Sequence, residues 1–81
     1  MAVTIRLFAI LREAVGKDGF DIRIEEPVPV ERLFEQIVAV HPALERYKSM
    51  ITFAVNGDYA TGQDLVKDGD EVALIPPISG G

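Results

Sequence analysis

Cysteine is absent from this chain of 81 residues, and basic residues are outnumbered. Without a thiol there is no disulfide, no thiolate zinc site and no cysteine nucleophile. That composition fits a reducing compartment, and a cytoplasmic location is the expectation. Thirteen acidic residues against eight basic ones give a formal net charge of −5, with the acidic residues spread along the chain. Nucleic-acid phosphates would be repelled by such a surface, so no nucleic-acid partner is expected. A protein with a basic face would instead be drawn towards it, although an acidic surface also serves simply to keep a small domain in solution. Long apolar runs are missing as well. The N-terminal MAVTIRLFAIL lacks the apolar core and cleavage site of a secretory signal, and no stretch approaches the length of a membrane span. Repeats and low-complexity segments are likewise absent. One small domain over residues 1–81 is expected, with a tail at 76–81, near the size where a single hydrophobic core just suffices.

The usual carriers of chemistry are also scarce. The one histidine, His41, precedes Pro42 without a neighbouring motif, which reads as a structural or solvent-facing residue. Asp68 and Asp70 bracket Gly69 but lack the ligand spacing of a calcium loop, and turn formation accounts for both. Neither GDYATG nor KDGD joins a strand to a helix through the glycine-lysine pattern of a phosphate loop. No metal, no stably bound cofactor and no catalytic side chain are expected.

What the chain does have is clear periodicity. Val3, Ile5 and Leu7 alternate with Thr4, Arg6 and Phe8, the period of two that marks a strand. LREAVG then predicts a helical turn ending at Gly16. Phe20, Ile22 and Ile24 alternate with Asp21, Arg23 and Glu25 in a second strand, after which Pro27 and Pro29 should bar further ladder pairing. From Val30 the period changes: Val30, Leu33, Phe34, Ile37 and Val38 form the stripe of an amphipathic helix, which Pro42 stops near His41. ALERYKS adds room for another turn. MITFAV reads as a third strand, Asn56-Gly57 as a hairpin turn into a short strand around Tyr59, and VKDGDE as a tight turn in which Gly69 supplies a positive φ. Val72 and Leu74 alternate with Ala73 and Ile75 in a last strand that ends at Pro76-Pro77. One main helix must cover one face of a mixed sheet of four to five strands. By fold analogy this α+β layout is the ubiquitin-like β-grasp, with first and last strands side by side and a flexible Gly-Gly tail.

Two features remain. Phe8 and Ile75 point away from the inward sets of their strands, so on neighbouring strands they would form an apolar patch on the face the helix leaves open, with Tyr59 as a possible extension. A contiguous patch of this kind marks a protein interface. The other feature is the end, PPISGG. Gly80 and Gly81 carry no Cβ, so the terminus can enter a narrow channel. Pro76 and Pro77 stiffen the approach and cannot pair as sheet. Residues 76–81 reach about 20 Å when fully extended. In a chain without a nucleophile, the α-carboxylate of Gly81 is the reactive group, and activation to an acyl-adenylate followed by attack of sulfur or an amine is the chemistry that suits it.

IRLFAILREAVG, AVNGDYA and above all KDGDEVALIPPISGG resemble the small subunit of molybdopterin synthase, the MoaD family, over essentially the whole chain. The resemblance implies a sulfur carrier of molybdenum cofactor biosynthesis. An E1-like adenylating enzyme, using ATP, would activate Gly81, and sulfur from another protein would turn the adenylate into a thiocarboxylate. Pro76, Pro77, Ile78, Ser79 and Gly80 would enter the active site of the large synthase subunit. There the sulfur would pass to precursor Z (cyclic pyranopterin monophosphate) to build the dithiolene. The family's assembly is two small subunits flanking a dimer of large ones, with the catalytic side chains on the partner. Phe8 and Ile75 correspond to apolar positions of the large-subunit interface, where position 75 is commonly Phe. A carrier for thiamine thiazole synthesis shares the fold and the Gly-Gly end but usually lacks the paired prolines. A ubiquitin-like modifier joined to lysines through Gly81 would share the adenylation step, and a β-grasp binding module with an inert tail would not.

Overall fold

The alternation at the N-terminus becomes strand β1 (Ala2–Leu7) in the computed structural model, which describes residues 1–77. Val3, Ile5 and Leu7 are buried, as their spacing requires. Helix α1 (Ala9–Val15) follows, longer than the single turn expected, and closes on Gly16, whose φ of 90° is open to glycine at little cost. Strand β2 (Gly19–Arg23) returns antiparallel to β1, pairing Val3 with Ile22 and Ile5 with Phe20.

The amphipathic stripe forms helix α2 (Val30–Val40), burying Val30, Leu33, Phe34 and Ile37. Each such side chain withdrawn from water contributes on the order of 1.5–3 kcal/mol. The helix ends at His41, whose ring packs on Phe20 with centroids 4.5 Å apart. Of the two roles expected for the histidine, structural or solvent-facing, this packing is the structural one. The chain then runs through a 3₁₀ helix (Pro42–Met50) that buries Leu44 and extends beyond the single turn expected. Strand β4 (Thr52–Val55) accordingly starts later than MITFAV implied, because Met50 belongs to the 3₁₀ helix. Asn56 and Gly57, with φ of 51° and 89°, form the two-residue turn into β5 (Asp58–Ala60). Strand β7 (Glu71–Ile75) completes the main sheet.

The sheet order is β2-β1-β7-β4-β5, with β1 and β7 parallel and the other pairs antiparallel. First and last strands therefore lie side by side in a ubiquitin-like β-grasp. Phe34 of α2 meets Phe53 of β4 edge to face at 5.7 Å, tying helix to sheet. Leu11 and Leu44 join the same core, so all helical elements gather on one face and leave the other open.

The prolines at 27 and 29 do not bar pairing altogether. Val28–Pro29 forms strand β3, paired antiparallel with β6 (Leu65–Val66) in a separate two-stranded sheet. Proline lacks a donor, but the next residues supply them: Val30 N–H donates to the Asp64 carbonyl and Glu31 N–H to that of Gly62, both at 2.9 Å. So short an edge ladder tolerates proline.

Candidate tail root and docking face

Strand β7 ends with Ile75 opposite Thr52 of β4, and Pro76 and Pro77 continue from there. Pro76 is half-buried and Pro77 exposed. The remaining tail positions singled out in the sequence, Ile78, Ser79, Gly80 and Gly81, the last expected to carry the chemistry, lie outside the described residues.

On the open face, the register brings Phe8 and Ile75 together. Leu7 pairs with Leu74 and both are buried, so one step further along each strand both chains turn a residue outward. Phe8 is 40% exposed, and the Arg6 guanidinium lies 6.0 Å from its ring centroid. Arg6 is outward-facing too, and its exposed ion pair with Glu71 at 3.6 Å contributes little stability. Tyr59 sits on the same face: it pairs with Ala54, which pairs with Ala73 of β7. It is 81% exposed. Two strand spacings, about 10 Å, separate β5 from β7, and the small side chains of Ala54 and Ala73 fill the interval. Tyr59 is thus the far end of a shallow apolar floor, with Phe8 and Ile75 beside the tail root.

A left-handed residue divides this face from a second apolar surface. Ala9 has a φ of 50°, a conformation that costs a residue with a Cβ about 1–2 kcal/mol. The sharp turn there leaves Phe8 on the sheet face while Ala9 and Ile10 turn into a cleft of about 380 Å³ between α1 and the 3₁₀ helix. Tyr47, Met50 and Ile51 form its opposite wall, and Pro76 and Pro77 its rim. The sequence did not reveal this cleft. Met50 reads as part of the strand MITFAV and Ile10 falls between the first strand and the turn LREAVG; that neither joins a core stripe is the available signal.

At the other end of β7 the surroundings are polar. Asp70 is 5% exposed. Its carboxylate accepts from Lys67 N–H at 2.8 Å and Asn56 Nδ2 at 2.9 Å, and Lys67 Nζ is 3.5 Å away. Asn56 Oδ1 in turn accepts from Glu71 N–H at 2.9 Å. The Lys67 backbone donor, followed by the Asn56 amide, holds the Asp70 carboxyl below its ordinary value against the opposing effect of burial. Gly69 takes a φ of 84°, and its N–H donates to the Ala2 carbonyl at 2.9 Å, so the turn expected there also clips β1 to β7.

Among the described residues no three His, Asp or Glu side chains gather as metal ligands. No helix among them is long and apolar enough to cross a membrane. The described surfaces that flank the tail root are the sheet face of Phe8 and Ile75 and the cleft of Ile10 and Met50.

Comparison with known proteins agrees with that geometry. Residues 5–81 match the sequence profile of the ThiS family. The molybdopterin synthase sulfur carrier subunit of Chlamydomonas reinhardtii is 41% identical over 83 residues, covering 100% of both chains. Small archaeal modifier protein 1 of Haloferax volcanii is 32% identical, covering 94% of this chain and 97% of its own. Its crystal structure gives a TM-score of 0.90 at 30% identity over 100% of both chains. A chain from the complex of subunits 1 and 2 of the molybdopterin-converting factor of Helicobacter pylori has the same fold, with a TM-score of 0.70 at 23% identity and full coverage of both chains.

Proposed function

Because the chain belongs to the ThiS family, we propose that it carries sulfur on the carboxylate of Gly81 as the small subunit of molybdopterin synthase. The observation that carries this reading is its end-to-end likeness, at 41% identity, to a molybdopterin synthase sulfur carrier subunit. That likeness also favours the molybdopterin pathway over thiazole synthesis.

A carboxylate resists nucleophiles until its oxygen becomes a good leaving group. An E1-like enzyme supplies this by forming an acyl-adenylate on Gly81 from ATP, releasing pyrophosphate. Sulfur at the sulfide level then attacks the acyl carbon, the bond to the AMP oxygen breaks, and a thiocarboxylate and free AMP remain. In the cytoplasm, the carrier docks on the large subunit through Phe8, Ile75 and Tyr59, whose shared outward face lies beside the tail root. Pro76 and Pro77 aim the tail, and Ile78, Ser79 and Gly80 enter the partner's site. The thiocarboxylate gives its sulfur to precursor Z, and water restores the Gly81 carboxylate. The assembly is two carriers flanking a dimer of large subunits. A chain of the same fold stands in the complex of subunits 1 and 2 of the H. pylori molybdopterin-converting factor, which is in keeping with a protein partner of this kind.

Reconstitution tests the proposal. The carrier, incubated with adenylating enzyme, ATP, a sulfur source, large subunit and precursor Z, is expected to yield molybdopterin. A chain lacking Gly81 is expected to yield none, and product from that shortened chain would refute the reading.

A second reading has its own support. The likeness to small archaeal modifier protein 1, with a TM-score of 0.90, favours conjugation through Gly81 to a lysine. The adenylate is common to both routes and only the acceptor differs. A branched peptide linking Gly81 to a lysine of another protein would establish it.

A further inference from the structure

The tail root is bordered on the helical side by the cleft between α1 and the 3₁₀ helix. Ile10 and Met50, on facing walls, are 49% and 46% exposed, so two large apolar side chains face water across a concave surface. Such a site gains most when an apolar group displaces that water. Glu13 is the carboxylate of this lining and forms no ion pair among the described residues. It follows Ile10 by three residues, on the same side of α1.

We propose that this cleft is a second docking site for the large synthase subunit. It receives an apolar side chain that has a lysine or arginine about one helical turn away to pair with Glu13. The inference rests on the carrier reading and adds a contact separate from the sheet face. Charge selects the occupant, since an unpaired carboxylate on a chain of net charge −5 favours a basic neighbour. Reach selects it too. Pro77 is on the cleft rim, and the four residues beyond it extend at most about 14 Å. A protein that encloses Gly81 therefore has its entrance within that distance of Pro77, which lines the same cleft as Ile10 and Met50. With the sheet face on one side and the cleft on the other, the partner grips the tail root from both sides and fixes the direction in which the tail leaves.

The test is titration of the full-length chain against the large subunit at several salt concentrations. Ile10→Gln and Met50→Gln, at half-exposed positions, are each expected to weaken binding about tenfold. Glu13→Gln is expected to weaken it about threefold at low salt and to flatten its salt dependence. Because Glu13 is exposed, that variant keeps the fold and supplies the decisive readout if a cleft variant unfolds. Wild-type affinity and wild-type salt dependence in Glu13→Gln, with wild-type affinity in the folded cleft variants, would overturn the proposal. So would normal binding to the large subunit with loss confined to the adenylating enzyme. A wild-type chain that fails to bind the large subunit at all would overturn the carrier reading itself, an outcome distinct from failure of the variants alone.

Discussion

Strand β7 begins at a carboxylate surrounded by donors and ends among apolar side chains that face water. At its start, Asp70 is nearly closed off and accepts from two partners, while Asn56 spans from it to the backbone of the next residue. At its end, Phe8, Ile10 and Met50 stand around the tail root with 40–49% of their surface exposed. The first arrangement satisfies buried polar groups and locks the turns of the hairpin and of β7 to each other. The second leaves apolar surface unused by the monomer, and burial against another protein is the way to use it. The polar pole adds a hydrogen-bonded clasp to a core that runs the length of the sheet, and the apolar pole is where docking is proposed.

That division is open to attack from both sides. The largest expected effect falls at the apolar pole: Phe8→Asp should weaken the complex with the large subunit about 100-fold by placing a charge in a desolvated contact. Its unfolding midpoint should stay within a few degrees of wild type, since the residue is exposed in the free chain; titration together with thermal melts would show both. Asp70→Ala should do the reverse. Loss of the acceptor leaves the Lys67 N–H and the Asn56 amide without their partner, at a cost of about 2 kcal/mol, seen in urea unfolding. Affinity of the folded fraction should be unchanged.

Acid sharpens the same contrast. The Asp70 carboxyl lies below its ordinary 3.8 in the folded chain, first because of the Lys67 backbone donor and then the Asn56 amide. Its stabilising effect is present in full above that ordinary value and is lost as pH falls below 3.8 through the lower folded value. Unfolding measured between neutral pH and strong acid should show a shallower loss for Asp70→Asn than for the wild type in that acid limb. The smallest effect is expected from Ile75→Phe, which restores the aromatic common at this position in the resembling family. Tighter binding of about threefold follows from the added apolar area, with stability nearly unchanged.

Much of this was legible in the sequence because the core is written in simple periods. Val3, Ile5 and Leu7 at spacing two and Val30, Leu33, Phe34 and Ile37 at helical spacing each led to a buried set. The outward turn of Phe8 and Ile75 followed from the same alternation. Tyr59 could not be placed from its own short strand, and only pairing through Ala54 and Ala73 put it on the open face. Pro29 misled because the rule against proline concerns its own missing donor, whereas Val30 and Glu31 supply the bonds. The buried role of Asp70 was hidden because a tight turn explains an aspartate equally well. The cleft escaped notice because its walls come from segments far apart in the chain, and because Met50 reads as the start of a strand when it closes a helix.

The chemistry proposed for this chain resides on Gly81. Intact mass spectrometry of the protein isolated from its own cells tests it most directly. A fraction heavier by the difference between one sulfur and one oxygen atom is expected, with fragmentation placing the change on Gly81. An unmodified Gly81 carboxylate throughout, even after incubation with the adenylating enzyme, ATP and a sulfur source, would contradict it.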